Sequence, residues 1–314
     1  MGGRIAKRLG GAAAPPSDRG RATATRRRRR ALWPYAFILP TLAMIALVFG
    51  YPLVMVVRDS FYAGSANQLT YVGTANYRNV VQDPVFVTSM LNNLKLLLTV
   101  PIMTVLALAI ALVLNDRIRG WRQYRAIVFL PYILPATAMG LAFSFLLQRN
   151  GVLNTMLRDI GLSWLALDWL GSAKVVMVSV GGVVIWQELG FGVVVFTAAL
   201  LSLPRETVEA GLLDGAGWWQ LQRYVVLPQI RRTIEFFMVL EAVTVLSWVF
   251  NYVYVLTGGG PGNASSVMEF YIWKNGFSLG SVGVAATVAV MLLAMASVLI
   301  AIYFRLHVRE AEIR

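Results

Sequence analysis

SLPRETVEAGLLDGAGWWQLQRYVVLP, residues Ser202 to Pro228, is a polar island between two apolar runs, each long enough to cross a bilayer. Its charges alternate in sign, Asp214-Gly215 breaks it in the middle, and Pro204 and Pro228 stand near its ends. The pattern predicts two short helices meeting at a turn. Pro204 suits a first helical position, where the missing N–H breaks no intrahelical bond, and Asp-Gly supplies the turn chemistry; Pro228 is expected to close the second half. Val208 and Leu212 are four apart, and Trp218, Leu221 and Val225 follow at spacings of three and four, so each half has one stripe to bury. Arg205, Glu206, Glu209, Asp214 and Arg223 leave a charged face. Two readings of that face stand: an amphipathic loop lying on the membrane surface, or a docking element for a soluble partner.

The rest of the chain defines what the island interrupts. Of 314 residues, 58% are hydrophobic and only 14% charged, against about 25% charged in soluble domains. The chain reads as an all-α integral membrane protein. With no cysteine and a single histidine, His307, it has no disulfide, no thiolate metal site and no histidine pair for catalysis. The net charge of +13 includes five consecutive arginines, Arg26 to Arg30, directly before an apolar segment. That is where a positive-inside anchor belongs, and no folded basic domain or aromatic platform accompanies it, so nucleic acid is not the expected partner. Residues 1–30 read as a disordered cytoplasmic tail able to touch membrane lipid, and 31–314 as one transmembrane domain.

Six segments are predicted to span: 33–57, 91–114, 126–148, 174–201, 233–257 and 282–304. Each approaches or exceeds the ~20 residues that cross a ~30 Å hydrocarbon core. Pro131 and Pro135 predict a kink in the third, tolerated where neighbours satisfy the freed carbonyls. With the N-terminus inside, 21 of the 28 Lys and Arg fall on the cytoplasmic side, and 11 against 7 remain when the tail is left out. Both termini and the 202–228 island are therefore expected in the cytoplasm, in a multi-pass protein of the cell membrane. No G-x-x-x-x-G-K-[ST] phosphate loop occurs, so an ATP-driven process needs a separate ATPase. The run GGGPGN, Gly258 to Asn263, reads as a tight turn on the outer side after the fifth span, lining the outer mouth.

Glu209-Ala210-Gly211, Asp214-Gly215-Ala216, Val225 and Leu227-Pro228 together resemble the EAA loop of binding-protein-dependent ABC importer permeases. Two positions depart from that pattern: Gly211 stands where the family has Ala, and Val225 where it has Ile. FLPYILP (129–135), GVLN (151–154), WQELGF (186–191) and YVLTGGGPGNAS (254–265) resemble, in order, segments of sugar permeases of the maltose and glycerol-phosphate type. The resemblance implies the six-helix type I importer permease (MetI-like) fold and no enzymatic activity in this chain. It also implies four kinds of partner: a second permease, two ATPase subunits that hold ATP and Mg, an extracytoplasmic sugar-binding protein and membrane lipid. The island would then couple to the ATPase through Glu209, Ala210, Gly211, Asp214, Gly215, Ala216, Leu227 and Pro228.

Intramembrane polar residues mark the path of a polar substrate. Glu188 lies near the middle of the fourth span, where a carboxylate costs about 2.5–3.5 kcal/mol on insertion scales. It is either bonded to a neighbouring helix or, with Gln187, an acceptor and donor for hydroxyls, with Trp186 or Phe191 as a stacking face. On the fifth span Thr244, Ser247, Asn251 and Tyr254 recur on one helical face beside Trp248, as interhelical glue or as cavity wall. Glu241 is a second acid in that span, without an assigned partner. Proton-coupled transport through Glu188 or Glu241, and import of glycerol 3-phosphate, are the competing readings.

Overall fold

The computed structural model describes residues 37–65, 68–115 and 120–311, with side chains through 305. The expected tail 1–30, the first residues of the first predicted span and positions 116–119 lie outside the described residues. By packing the chain forms two units, Met1–Met55 and Val56–Arg314.

In chain order the elements are helix α1 (Phe37–Asp59), an antiparallel hairpin of β1 (Tyr62–Ser65) and β2 (Gln68–Tyr71), and a short helix α2 (Ala75–Gln82). Next, α3 (Pro84–Leu97) runs into α4 (Thr99–Asn115) as a single span, and α5 (Trp121–Ile133) and α6 (Ala136–Leu146) form a pair bent by 98°. α7 (Val152–Asp159) precedes the span α8 (Val176–Leu201), and α9 (Arg205–Leu213) follows it. α10 (Trp218–Leu221), a π-helical turn (Gln222–Val226) and α11 (Leu227–Leu256) make one continuous helix. α12 (Met268–Trp273) and α13 (Val282–Ala311) complete the described chain. Five unbroken helices are long and apolar enough to cross a membrane, and the bent pair makes a sixth span among the described residues.

Two spans are longer than a bilayer requires. Pro84–Asn115 has 32 residues and Trp218–Leu256 has 39, about 48 and 58 Å at 1.5 Å per residue against a ~30 Å core. The first begins seven residues before its predicted start because Asp83 caps it, accepting from Val85 N at 2.8 Å with Pro84 at the first position. Lys95 lies within this helix, where it donates to Asn92 Oδ1 at 3.2 Å.

The second long span corrects an expectation. Pro228 does not close the island; it lies inside the helix that runs from Trp218 to Leu256. Just before it the helix widens into the π turn, where Leu227 N–H bonds to Gln222 O. Proline has no N–H for an i−4 carbonyl and its ring crowds that carbonyl, and the local change of register takes up the strain. The same device precedes Pro52 in α1, where the π turn Ala46–Gly50 closes with Tyr51 N–H on Ala46 O.

The apolar core of the second unit lies around α8, whose apolar residues are spread round the helix rather than gathered in one stripe. Toward one end Leu96, Val180, Val184, Val249, Val253 and Phe270 pack together. Toward the island Met103, Ala107, Val193, Phe196, Leu221, Ile230 and Phe237 do so. A third cluster of Val80, Phe86, Met268, Tyr271 and Val288 ties α2 and α3 to α12 and α13. The hairpin is held to α2 by Asn76, whose Nδ2 donates to Ser60 O at 2.9 Å and Tyr62 O at 2.8 Å.

Candidate functional site

The island folds into an elbow. α9 ends in a two-bond turn: Gly215 N–H bonds to Leu212 O and Ala216 N–H to Gly211 O, both at 3.1 Å, with Gly215 at φ +79°. This is the Schellman arrangement, which needs a residue at positive φ, and it answers the Asp214-Gly215 signal. Pro204 stands one position earlier than expected, as the cap of α9 rather than its first residue. At the second half Gly217 N–H is met by Gln220 Oε1 at 2.9 Å.

The stripes bury unequally. Leu221 is buried and Val208 and Val225 half-buried, while Leu212 and Trp218 stay exposed; the π turn brings Gln222 and Val226 inward beside Leu221. A Cβ on Gly211 would stand 2.9 Å from Leu221 Cδ1 and 3.3 Å from Val225 Cγ2. Glycine at this position thus lets the two halves of the elbow close on each other. A cavity of about 460 Å³ opens beside them, bordered by Arg205, Glu209, Trp218 and Gln222 among leucine and valine walls. Glu206, Glu209, Asp214 and Arg223 are exposed, so the charged face is presented outward.

Inside the bundle the expected path residues separate. Glu188 Oε1 accepts a hydrogen bond from Tyr252 OH at 3.1 Å, a partner 64 positions away that the sequence did not mark. The two border a narrow crevice with Thr244 and Trp248. Trp248, 63% exposed, gives that carboxylate one aromatic neighbour, whereas Trp186, 42% exposed, lies about 200° round α8 from Glu188 and meets the Phe143 ring edge to face. Ser247 and Tyr254 are exposed and Asn251 half-buried, on the same side of α11. Gln187 and Phe191 turn instead to α5 and the residue that follows it. Gln187 is 3% exposed and donates through Nε2 to Leu134 O at 2.8 Å, and the Phe191 ring stacks on Tyr132 at 5.1 Å. The helix turns by about 100° per residue, which is why Gln187 and Glu188 cannot share one face. Glu241 is 1% exposed, and its Oε2 has no hydrogen-bond partner among the described residues.

A third polar group was missed. Ser89, Asn92 and Asn93, all buried on α3, hold the glycine-rich loop and α12. Asn92 Nδ2 donates to Ala264 O at 2.8 Å and Ser266 O at 2.9 Å. Asn93 Oδ1 accepts from Met268 N at 2.7 Å, while its Nδ2 donates to Glu269 Oε2 at 3.0 Å. Burial pushes the Glu269 carboxyl up to about 7, the Asn93 bond opposing it. Burial also raises the Tyr271 phenol, reinforced by its bond to Asp83 Oδ2 at 2.6 Å. The available signal was the spacing of three and four between polar residues in an apolar span. In the same way the Asn of GVLN, Asn154, is a loop staple: its Nδ2 donates to Arg149 O and Leu167 O, and its Oδ1 accepts from Trp169 Nε1 at 2.7 Å.

Residues 94–310 match the family model described as binding-protein-dependent transport system inner membrane component. Among curated relatives, the "Probable ABC transporter permease protein YurN" of Bacillus subtilis is 34% identical over 266 residues, covering 83% of this chain and 90% of that one. The lactose transport system permease protein LacF of Rhizobium radiobacter is 29% identical, with 84% and 90% covered. The trehalose/maltose transport system permease protein MalF of Thermococcus litoralis is 28% identical, with 84% and 89% covered. In fold the chain is similar to a crystal structure of a bacterial ABC transporter involved in the import of the acidic polysaccharide alginate, at TM-score 0.78 and 23% identity, covering 91% of this chain and 99% of that one. With the family model spanning more than half of its length and an elbow of the EAA pattern between its spans, this chain belongs to the binding-protein-dependent inner-membrane components, the permease subunits of ABC importers.

Proposed function

We propose that this permease carries a sugar or sugar derivative into the cytoplasm. In this reading a second permease completes the path, two ABC ATPase subunits holding ATP and Mg drive it, and an extracytoplasmic binding protein delivers the substrate. The observation that carries it is the crevice in which Glu188, held by Tyr252, lies beside the exposed Trp248. Sugars present hydroxyls that require polar partners and an apolar ring face that packs on aromatics. The relatives named for lactose and for trehalose and maltose support the same substrate class.

The elbow is the coupling element, with both termini and Ser202–Pro228 in the cytoplasm. Closure of the ATPase dimer pushes on the face bearing Glu209 and Asp214. Because Trp218–Leu256 is one helix, the push passes along its axis to Ser247, Trp248, Asn251 and Tyr254. Alternating access then follows from two arrangements of the bundle whose populations nucleotide and substrate bias. The test is uptake by the assembled complex in proteoliposomes, with sugars and glycerol 3-phosphate compared as competitors. Sugar uptake that needs ATP and survives an uncoupler is expected. Uptake that stops with the uncoupler while ATP is held constant would replace this reading with proton coupling.

A further inference from the structure

The two arms of the broken span belong to different neighbours. α5 lies on α8, so closely that a Cβ added to Gly190 would be 2.5 Å from Val128 O. α6 lies on α11, where a Cβ on Gly140 would meet Val255 Cβ at 3.1 Å, and it reaches α8 at its side through Phe143 on Trp186. The elbow links α8 to α11. A displacement of α11 against α8 would pull the two arms in different directions.

The joint between the arms is Leu134–Pro135. Helical bonding stops at Leu134 N–H on Pro131 O, 3.2 Å, and resumes at Met139 N–H on Pro135 O, 3.0 Å, with both joint residues extended at ψ 141° and 132°. Proline ends the first arm by removing a donor and by keeping the residue before it out of the helical region. The Leu134 carbonyl, left without a helical donor, accepts from Gln187 Nε2 at 2.8 Å. Gln187 Oε1 is buried and has no hydrogen-bond partner among the described residues. An amide that spends its donor and leaves its acceptor idle can bond a donor brought up when the arms swing.

We propose that Gln187 is a positioning residue for transport: its carboxamide latches the Leu134–Pro135 joint in the bent setting, and release of that latch lets α6 swing as α11 moves against α8. The proposal deepens the coupled-transport reading above and rests on it. Its test uses the whole complex in lipid nanodiscs. The chain has no cysteine, so Ile127→Cys on α5 and Phe145→Cys on α6, both exposed, take its only two spin labels in a complex whose partner subunits are stripped of cysteine. Inter-label distances are measured without nucleotide and with a non-hydrolysable ATP analogue and Mg.

With native Gln187 two distances are expected, with nucleotide changing their ratio. Gln187→Leu keeps the bulk without the amide. It should shift the nucleotide-free ratio by about tenfold, the size of effect that leaving one buried carbonyl unpaired produces, and lower sugar uptake per ATP hydrolysed. A single distance, unchanged by nucleotide in the native chain, overturns the hinge; native distances and native coupling in Gln187→Leu overturn the latch. Should Gln187→Leu not assemble, Gln187→Met, which also keeps the bulk without the amide, takes its place with the same outcomes. Labels that respond as expected in a complex that moves no sugar would remove the substrate assignment and leave the latch standing.

Discussion

Gly190 and Gly182 lie eight residues apart on α8, and replacing each by alanine should have opposite effects. A Cβ at Gly182 meets nothing within 4 Å, whereas one at Gly190 would stand 2.5 Å from Val128 O and 2.9 Å from Phe129 Cα, both backbone atoms that no rotamer change can move. Ordinary contact begins near 3.4 Å, so α5 must retreat by about 0.9 Å. That retreat takes the 2.8 Å bond from Gln187 to Leu134 beyond hydrogen-bond range. Overpacking costs about 1–3 kcal/mol and an unpaired buried carbonyl a further ~1–3 kcal/mol, against about 1 kcal/mol gained from alanine in a helix. Gly190→Ala should therefore lose about 1–5 kcal/mol, or roughly 2–10 °C of melting temperature at about 2 °C per kcal/mol. Gly182→Ala should be neutral or gain up to ~1 kcal/mol. The assay is the fraction of the complex surviving a temperature ramp in detergent, read by fluorescence-detected gel filtration. Equal melting of Gly190→Ala and the parent would refute the close backbone contact on which the joint's geometry depends.

The remaining predictions concern Glu269, the Glu188–Tyr252 pair and the elbow. For Glu269, a carboxyl raised from 4.5 to about 7 contributes its full share of stability below about pH 4.5 and loses it as pH rises through about 7, by about 3 kcal/mol in all. Thermal stability should fall between pH 5 and pH 8, and Glu269→Gln should flatten that slope; an identical slope in the variant would exclude Glu269 as its source. Tyr252→Phe removes the donor to Glu188, and sugar-stimulated ATP hydrolysis should fall several-fold while unstimulated hydrolysis persists; unchanged kinetics would take this pair out of the path. Replacing Glu209 and Gly215 together by alanine should abolish uptake with membrane insertion intact, the second change straining a residue at φ +79° by about 1 kcal/mol or more. Normal uptake in that variant would discard the elbow as the coupling element.

Composition and periodicity alone determined the membrane class, the number of spans, the position of the elbow and its Asp214-Gly215 break. These follow from local chemistry: a run of ~20 apolar residues must find hydrocarbon, and a Gly at a helix end takes positive φ whatever surrounds it. Only the tertiary structure decided that Pro228 continues a helix, because a π turn absorbs the missing donor at Gln222–Val226. The same holds for Gln187, which serves the joint at Leu134, for Glu188, which meets Tyr252, and for Asn92 and Asn93, which hold a loop more than 170 positions away. In spans apolar on nearly every face, amphipathicity no longer says which way a side chain points. The direction is set instead by which buried carbonyl, amide or carboxylate lacks a partner, and that depends on residues far apart in the chain.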